Sequence, residues 1–285
     1  MSTELFKKLF GLDQAPIIRL SLQDIPLKAQ EMVGKMSISG VQPKLSIKLD
    51  KTKAELISVA GEGEYILKPQ TQAFPNTPEN ENCCMDIAEN IGIEVPPHCL
   101  LSLTDGSLAY IVKRFDRIGQ DKIHQETFSQ ILGKKDKYSG SVEQIGSKLK
   151  QASSVPGLDV QLFFERVVFN FLVGNGDAHF KNYSISYHNG IRLSPAYDIV
   201  CSKLVISTDT DSALTINGKN DKLDRKDFDA LADYLEIPVR IRYEKFFGKI
   251  ELMNNLIKTC KLSGEFQGKF IEIISSRYTR IEIPQ

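Results

Sequence analysis

The 285-residue chain carries no net charge, because 36 lysines and arginines balance 36 aspartates and glutamates. With no field of one sign, nothing in the bulk charge draws it onto nucleic acid or a membrane surface, although local basic patches are compatible with neutrality. Cysteine is sparse. The five residues Cys83, Cys84, Cys99, Cys201 and Cys260 are odd in number and lack CxxC spacing, and the four histidines are scattered. Neither a disulfide framework nor a zinc site is indicated. No apolar run approaches the ~20 residues that span a bilayer. The start, Met1-Ser-Thr-Glu-Leu, lacks the basic residues and apolar core of a secretory leader, so the expected location is the cytoplasm. What remains, 41% hydrophobic and 25% charged residues, is ordinary globular composition. The length suffices for two lobes with separate cores.

The first 35 residues give a weak structural signal. Leu45 to Leu49 alternates strictly, the period of a half-buried strand. Leu56–Val59 and Tyr65–Lys68 read as further strands around the turn at Gly61–Gly63, and the three suggest an antiparallel meander. A helix is expected from Asn76, a possible cap, through Pro78 and Glu79 to Ile91, with Gly92 as its stop. Its apolar stripe is Cys84, Ile87, Ala88 and Ile91. Glu81 falls beside that stripe, where an acid needs a partner or solvent. Strands follow at Cys99–Leu103 and Leu108–Val112, joined by a turn at 104–107. From Glu126 the pattern is mostly helical, including 160–173, roughly 224–235 and 239–259, with no internal repeats. The expected class is α+β and two-lobed: a strand-rich lobe over 1–116 and a helical lobe over 117–285.

The polar residues that stand out are Asp177 and Asn182, five apart in Gly174-Asn-Gly-Asp-Ala-His-Phe-Lys-Asn182, and Asp198 after Tyr197. An Asp to orient the attacking hydroxyl, then an Asn and a later Asp to hold Mg²⁺, is the order found in protein kinases. A polar surface turn is the competing explanation. Three further features fit nucleotide binding. In the small-residue segment 37–44, backbone amides at Ser39, Gly40, Val41 and Gln42, with Lys44 beyond, could cover phosphates. It is neither a GxGxxG loop nor a Walker sequence, and an ordinary turn also explains it. Lys68 ends a strand that precedes the helix bearing Glu81, as in the lysine–glutamate pair of kinases, with Glu79 the alternative partner. Lys113 and Phe115 lie in the lobe connector, where main-chain atoms could meet an adenine ring. A solvated linker explains them equally.

Taken together, these words resemble the HipA-like toxin kinases of bacterial toxin–antitoxin modules. The matching stretches are Ser39-Gly-Val-Gln-Pro-Lys44, Ile66-Leu-Lys68-Pro69, Glu79-Asn-Glu81 with Met85 and Ala88, and Lys113-Arg-Phe-Asp-Arg117. They continue with Gln125-Glu-Thr-Phe-Ser-Gln130, Gly174-Asn-Gly-Asp-Ala-His179 with Lys181-Asn182, and Leu193-Ser-Pro-Ala-Tyr-Asp198. The resemblance implies a protein-kinase-like fold and an ATP- and Mg²⁺-dependent serine/threonine protein kinase. By it, Asp177 is the catalytic base, His179 and Lys181 support the catalytic loop, and Asn182 and Asp198 hold Mg²⁺. Lys68 would contact the α- and β-phosphates. The chain begins 36 residues before Ser37, which resembles the shortened HipT type. That type implies a separate small HipS-like antitoxin and a HipB-like DNA-binding protein as partners. The implied substrate is an aminoacyl-tRNA synthetase, tryptophanyl or glutamyl.

Other functions compete. A small-molecule or lipid kinase could use the same scaffold, and a catalytically inactive binding module would work by docking alone. The joint presence of Lys68, Asp177, Asn182 and Asp198 argues against the inactive module. A transcriptional repressor has little support from a neutral chain without a helix-turn-helix signal. The family's autophosphorylation serine corresponds to Ser37, with Ser39 a second candidate. A phosphate there adds about −1.5 to −2 charge where ATP's own phosphates must sit, which would switch the kinase off. Phosphorylation at Ser37 or Ser39 is therefore expected to abolish ATP binding in calorimetric titration, while the Ser37→Ala/Ser39→Ala variant retains it. The reverse pattern would sink the switch.

Overall fold

The computed structural model describes residues 3–33, 43–119 and 121–284. Ser37, Ser39, Gly40, Val41 and Gln42, on which the phosphate-loop expectation rests, lie outside the described residues. The chain divides into two compact units, 1–82 with 96–121, and 83–95 with 122–285.

The first unit is built on five antiparallel strands: β1 (Leu45–Asp50), β2 (Glu55–Ser58), β3 (Tyr65–Pro69), β4 (His98–Ser102) and β5 (Leu108–Lys113). Their order in the sheet is β2-β1-β3-β5-β4. This corrects the expected meander, since β3 pairs with β1 rather than β2. Burial explains the order. Tyr65, Leu67, Lys68 and Pro69 of β3 are buried, so that strand needs cover on both faces and sits at the centre. In β2 only Leu56 is buried, which suits an edge. Ile17 then covers that edge: its N–H donates to the Ala54 carbonyl and its own carbonyl accepts from Leu56, both at 2.8 Å.

The weakly patterned N-terminal residues form two helices, α1 (Thr3–Phe10) and α2 (Asp24–Val33). Phe6, Leu9 and Phe10 of α1 join Leu45, Ile47, Leu67 and Ile111 in one core. The Tyr65 hydroxyl donates to the Leu9 carbonyl at 2.9 Å, which ties α1 to the sheet. Helix α3 (Thr77–Asn90) begins in the first unit and ends in the second. Asn76, expected as its cap, directly precedes the helix: its carbonyl accepts the Asn80 N–H at 2.9 Å, and its φ of 59° is a left-handed conformation that asparagine tolerates. A two-strand ribbon, β6 (Arg117–Ile118) with β7 (Asp121–Lys122), follows β5.

The second unit is mainly helical but carries a small sheet that the pattern did not suggest. Its strands are β8 (Gln125–Thr127), β9 (Ser184–Ser186) and β10 (Arg192–Leu193), in the order β10-β9-β8. The helices are α4 (Phe128–Ile131), α5 (Val142–Ala152), α6 (Pro156–Leu172), α7 (Arg225–Tyr234), α8 (Ile250–Thr259) and α9 (Gly264–Arg280). The expected helix over 239–259 is shorter: two 3₁₀ turns, Val239–Ile241 and Glu244–Phe246, precede α8. Gly248, with φ of 64°, separates the second of these turns from α8. Helix α6 is the spine, with Phe163, Phe164, Val168, Phe169 and Leu172 all fully buried. No helix among the described residues is long and apolar enough to cross a membrane.

Candidate active site

In the first unit, Lys68 on β3 and Glu81 on α3 are 3% and 2% exposed, and their Nζ and Oε1 atoms are 2.5 Å apart. The Lys68 ammonium also lies 5.5 Å from the centroid of the Tyr110 ring, on neighbouring strand β5. Removing two charges from water costs several kcal/mol per ion, so such a pair persists only with close geometry and is weak evidence for stability alone. Glu79 takes no part in it. Burial raises its carboxyl above the usual range, and among the described residues its Oε2 has no hydrogen-bond partner.

The connector residues are already partly engaged. The Lys113 N–H donates to the Pro97 carbonyl at 2.8 Å, and the Arg114 N–H to the Glu64 carbonyl at 2.9 Å. Lys113 therefore has no spare amide for an adenine ring. Phe115 is half-buried, and Lys44 is exposed just before β1.

The second unit gathers the remaining residues at the end of α6. Gly174, with φ of 76°, turns the chain out of the helix. Asn175 then reaches back, its Nδ2 donating to Asn170 Oδ1 at 2.9 Å while its Oδ1 accepts the Asp177 N–H at 3.2 Å. Gly176 is required by close approach: a Cβ there would lie 2.5 Å from the Thr210 carbonyl and collide with the Asp209 carboxylate. Its N–H donates to Ser202 Oγ at 2.8 Å, and Ser202 in turn hydrogen-bonds Asp209. This bracing leaves the Asp177 side chain exposed on a fixed loop.

His179 is buried beneath it. Its N–H donates to the Asp177 carbonyl at 2.8 Å and to Asn182 Oδ1 at 3.1 Å. Burial lowers its pKa, an effect opposed by the charges of Asp177 and Asp198. Lys181 is exposed, and its carbonyl accepts from the Tyr197 hydroxyl at 3.1 Å. That bond ties the segment holding Asp198 to the loop holding Asn182. Buried Arg166 supports the same segment, donating to the Ser194 carbonyl at 2.7 Å. Asp198 has φ of 55°, a left-handed backbone that a non-glycine residue adopts at a cost, and such outliers cluster at functional sites.

Asn182 Oδ1 and the Asp198 carboxylate are hard oxygen donors. They fit Mg²⁺, which is usually held by one or two protein oxygens together with substrate phosphates. Among the described residues no group of three or more His, Cys, Asp or Glu could hold a metal alone.

Sequence reasoning missed Tyr138, Asn170, Arg166, Ser202 and Asp209. Asn170 and Arg166 did carry a signal, as polar residues inside the apolar stretch that forms α6. The others come from separate loops and left no trace in the pattern.

The fold and these residues define a HipA-like protein. Residues 36–258 match the HipA-like C-terminal domain, and the chain belongs to that family. A protein of Haemophilus influenzae named a putative kinase is 34% identical over 202 residues, which is 65% of this chain and 58% of that protein. The putative kinase Y4mE of Sinorhizobium fredii is 35% identical over 204 residues, 66% of this chain and 48% of its own length. The chain thus spans about half the length of these curated relatives.

Two solved structures share the fold. HipA of Shewanella oneidensis, determined with HipB and operator DNA, superposes with a TM-score of 0.71 at 22% identity, covering 87% of this chain and 65% of that one. The Helicobacter pylori proinflammatory kinase CtkA gives 0.52 at 17% identity, covering 76% and 87%. The α+β, kinase-like fold and the family expected from the sequence are borne out.

The Lys68–Glu81 geometry makes a stability forecast. Glu81→Gln keeps the shape but deletes the counter-charge, and should lower unfolding stability by roughly 3–5 kcal/mol, read from denaturant midpoints. Replacing both partners, as Lys68→Met/Glu81→Leu, should restore wild-type stability. A Glu81→Gln protein as stable as wild type would show that the carboxylate does not hold the ammonium.

Proposed function

We propose that the chain is the kinase component of a HipA-type toxin–antitoxin system, transferring the γ-phosphoryl group of ATP to serine or threonine. The observation that carries this reading is the buried Lys68–Glu81 pair, an arrangement that costs stability and suits phosphate binding. The reading divides the chain into a nucleotide-binding N-lobe over 1–116 and a catalytic C-lobe over 117–285. Lys68 contacts the α- and β-phosphates, held straight by Glu81. The segment Ser39-Gly-Val-Gln-Pro-Lys44 covers the phosphates, and the Phe115 main chain meets the adenine ring.

Asn182 and Asp198 would hold Mg²⁺, which when bound neutralises phosphate charge. The Asp177 carboxylate accepts a hydrogen bond from the attacking hydroxyl, orients its lone pair and takes its proton. Buried His179, its pKa lowered, is neutral near pH 7 and adds no competing positive charge beneath Asp177. Positioning and charge neutralisation supply most of this kind of catalysis.

The substrate proposed is an aminoacyl-tRNA synthetase, tryptophanyl or glutamyl, whose phosphorylation in the cytoplasm would halt translation. The Shewanella HipA was solved with HipB and its operator. That supports a HipB-like DNA-binding partner here, with a HipS-like antitoxin alongside it. Phosphorylation of Ser37 or Ser39 would control the site.

The test is phosphoproteomics after brief expression of wild type beside Asp177→Gln. A phosphosite present only with wild type is expected and would name the substrate. Matching phosphoproteomes would refute the kinase reading.

A further inference from the structure

Asp177 has one side-chain hydrogen bond among the described residues, and it comes from outside the catalytic loop. The Tyr138 hydroxyl donates to Asp177 Oδ1 at 2.8 Å. Tyr138 belongs to the loop between α4 and α5, 39 residues upstream. Its side chain is 46% exposed, so apolar burial does not account for the place it takes. The contact is nevertheless built in from several sides. The ring stands edge-on to His179, with centroids 5.3 Å apart at 72°. Lys137 Nζ lies 4.7 Å from the ring centroid, and the Tyr138 N–H donates to Asp136 Oδ1 at 2.9 Å.

The backbone on either side is docked as well. The Phe180 N–H donates to the Lys137 carbonyl at 3.3 Å, and the Thr215 N–H to the Gly140 carbonyl at 3.1 Å. Lys134 Nζ sits 5.1 Å from the Phe180 ring and donates to the Ser139 carbonyl at 3.1 Å. The tyrosine is thus delivered to Asp177 by a segment fixed at both ends.

The chemistry of the pair is one-directional. Burial and the hydrogen bond to Asp177 raise the phenol's pKa, so Tyr138 remains a donor. An exposed aspartate without such a donor would rotate among its staggered rotamers. One bond to Oδ1 removes that freedom and leaves Oδ2 without a partner among the described residues.

Resting on the kinase reading above, we propose that Tyr138 is a positioning residue for phosphoryl transfer. Its hydroxyl holds the Asp177 carboxylate so that Oδ2 accepts the hydrogen bond of the incoming serine or threonine hydroxyl. Tyr138 itself touches neither nucleotide nor the reacting atoms, and no bond to it forms or breaks.

The test compares wild type, Tyr138→Phe and Asp177→Asn as full chains. Each is given γ-labelled ATP with Mg²⁺, and the rate of label incorporation into the chain itself is followed against ATP concentration. Tyr138→Phe keeps the ring on His179 and deletes only the donor. Its maximal rate should fall roughly 10- to 100-fold, the scale of a small misplacement of a reacting group. The ATP concentration for half-maximal rate should not move, and neither should the melting temperature. A purely structural role for the ring predicts no change in rate.

A Tyr138→Phe protein as fast as wild type, beside an inactive Asp177→Asn, overturns the positioning role and leaves the kinase reading standing. A faster Tyr138→Phe overturns it too, since the phenol would then be blocking the base. A wild type no faster than Asp177→Asn overturns the kinase reading itself, and this inference with it.

Discussion

Two opposite charges buried against each other, Lys68 and Glu81, are the constraint around which the first unit is organised. An ammonium on the central strand of a sheet can be tolerated only if an acid reaches it, and the acid must come from another element. Helix α3 supplies it 13 residues later, which fixes where the chain must turn after β3. The central place of β3 follows the same logic: both its faces are covered, so Lys68 cannot reach water to shed its cost. Apolar residues of similar volume would hold this sheet as well or better. Under the proposed function, what the pair offers in return is a cation on a rigid strand, oriented before a phosphate binds.

The second unit solves a different problem. Under the proposed function its exposed carboxylate, Asp177, must meet the substrate, yet it must not wander. The solution is to bury polar groups beneath it rather than the acid itself. Asn170 projects from α6 to hold Asn175, and Asn175 holds the Asp177 backbone. Asp209 and Ser202 pin Gly176 from the other side. Tyr197 and Arg166 fasten the segment that carries Asp198. Buried polar chains of this kind are costly when incomplete and rigid when satisfied. Only the last bond to the side chain, from Tyr138, comes from an exposed residue.

Much of this was legible in the sequence, and the failures have physical causes. Alternation placed β1, a short apolar run after the turn at Gly61–Gly63 placed β3, and the apolar run of α6 announced its helix. The spacing of Glu81 from the apolar stripe singled it out before its partner was visible. Helices α1 and α2 went unread because eight and ten residues hold too few turns to reveal a stripe. Strands β8 to β10 are two or three residues long; β9 and β10 pair across a short turn, and the sheet is completed only when Gln125–Thr127 pairs with the distant Ser184–Ser186. The strand order was misjudged because sequence proximity favours β2–β3 pairing, whereas the twofold burial of β3 decides otherwise. Tyr138 could not be foreseen: a lone tyrosine in a polar loop acquires meaning only when the chain brings it to Asp177.

Under the proposed function, Lys68 and Glu81 are kept for phosphate binding and not for stability. Equilibrium binding of ATP with Mg²⁺ to wild type and to Lys68→Met/Glu81→Leu, with both proteins shown to be folded under the same conditions, tests it most directly. Wild type is expected to bind, and the apolar pair, although as stable, is not. Equal affinities in the two folded proteins would contradict it.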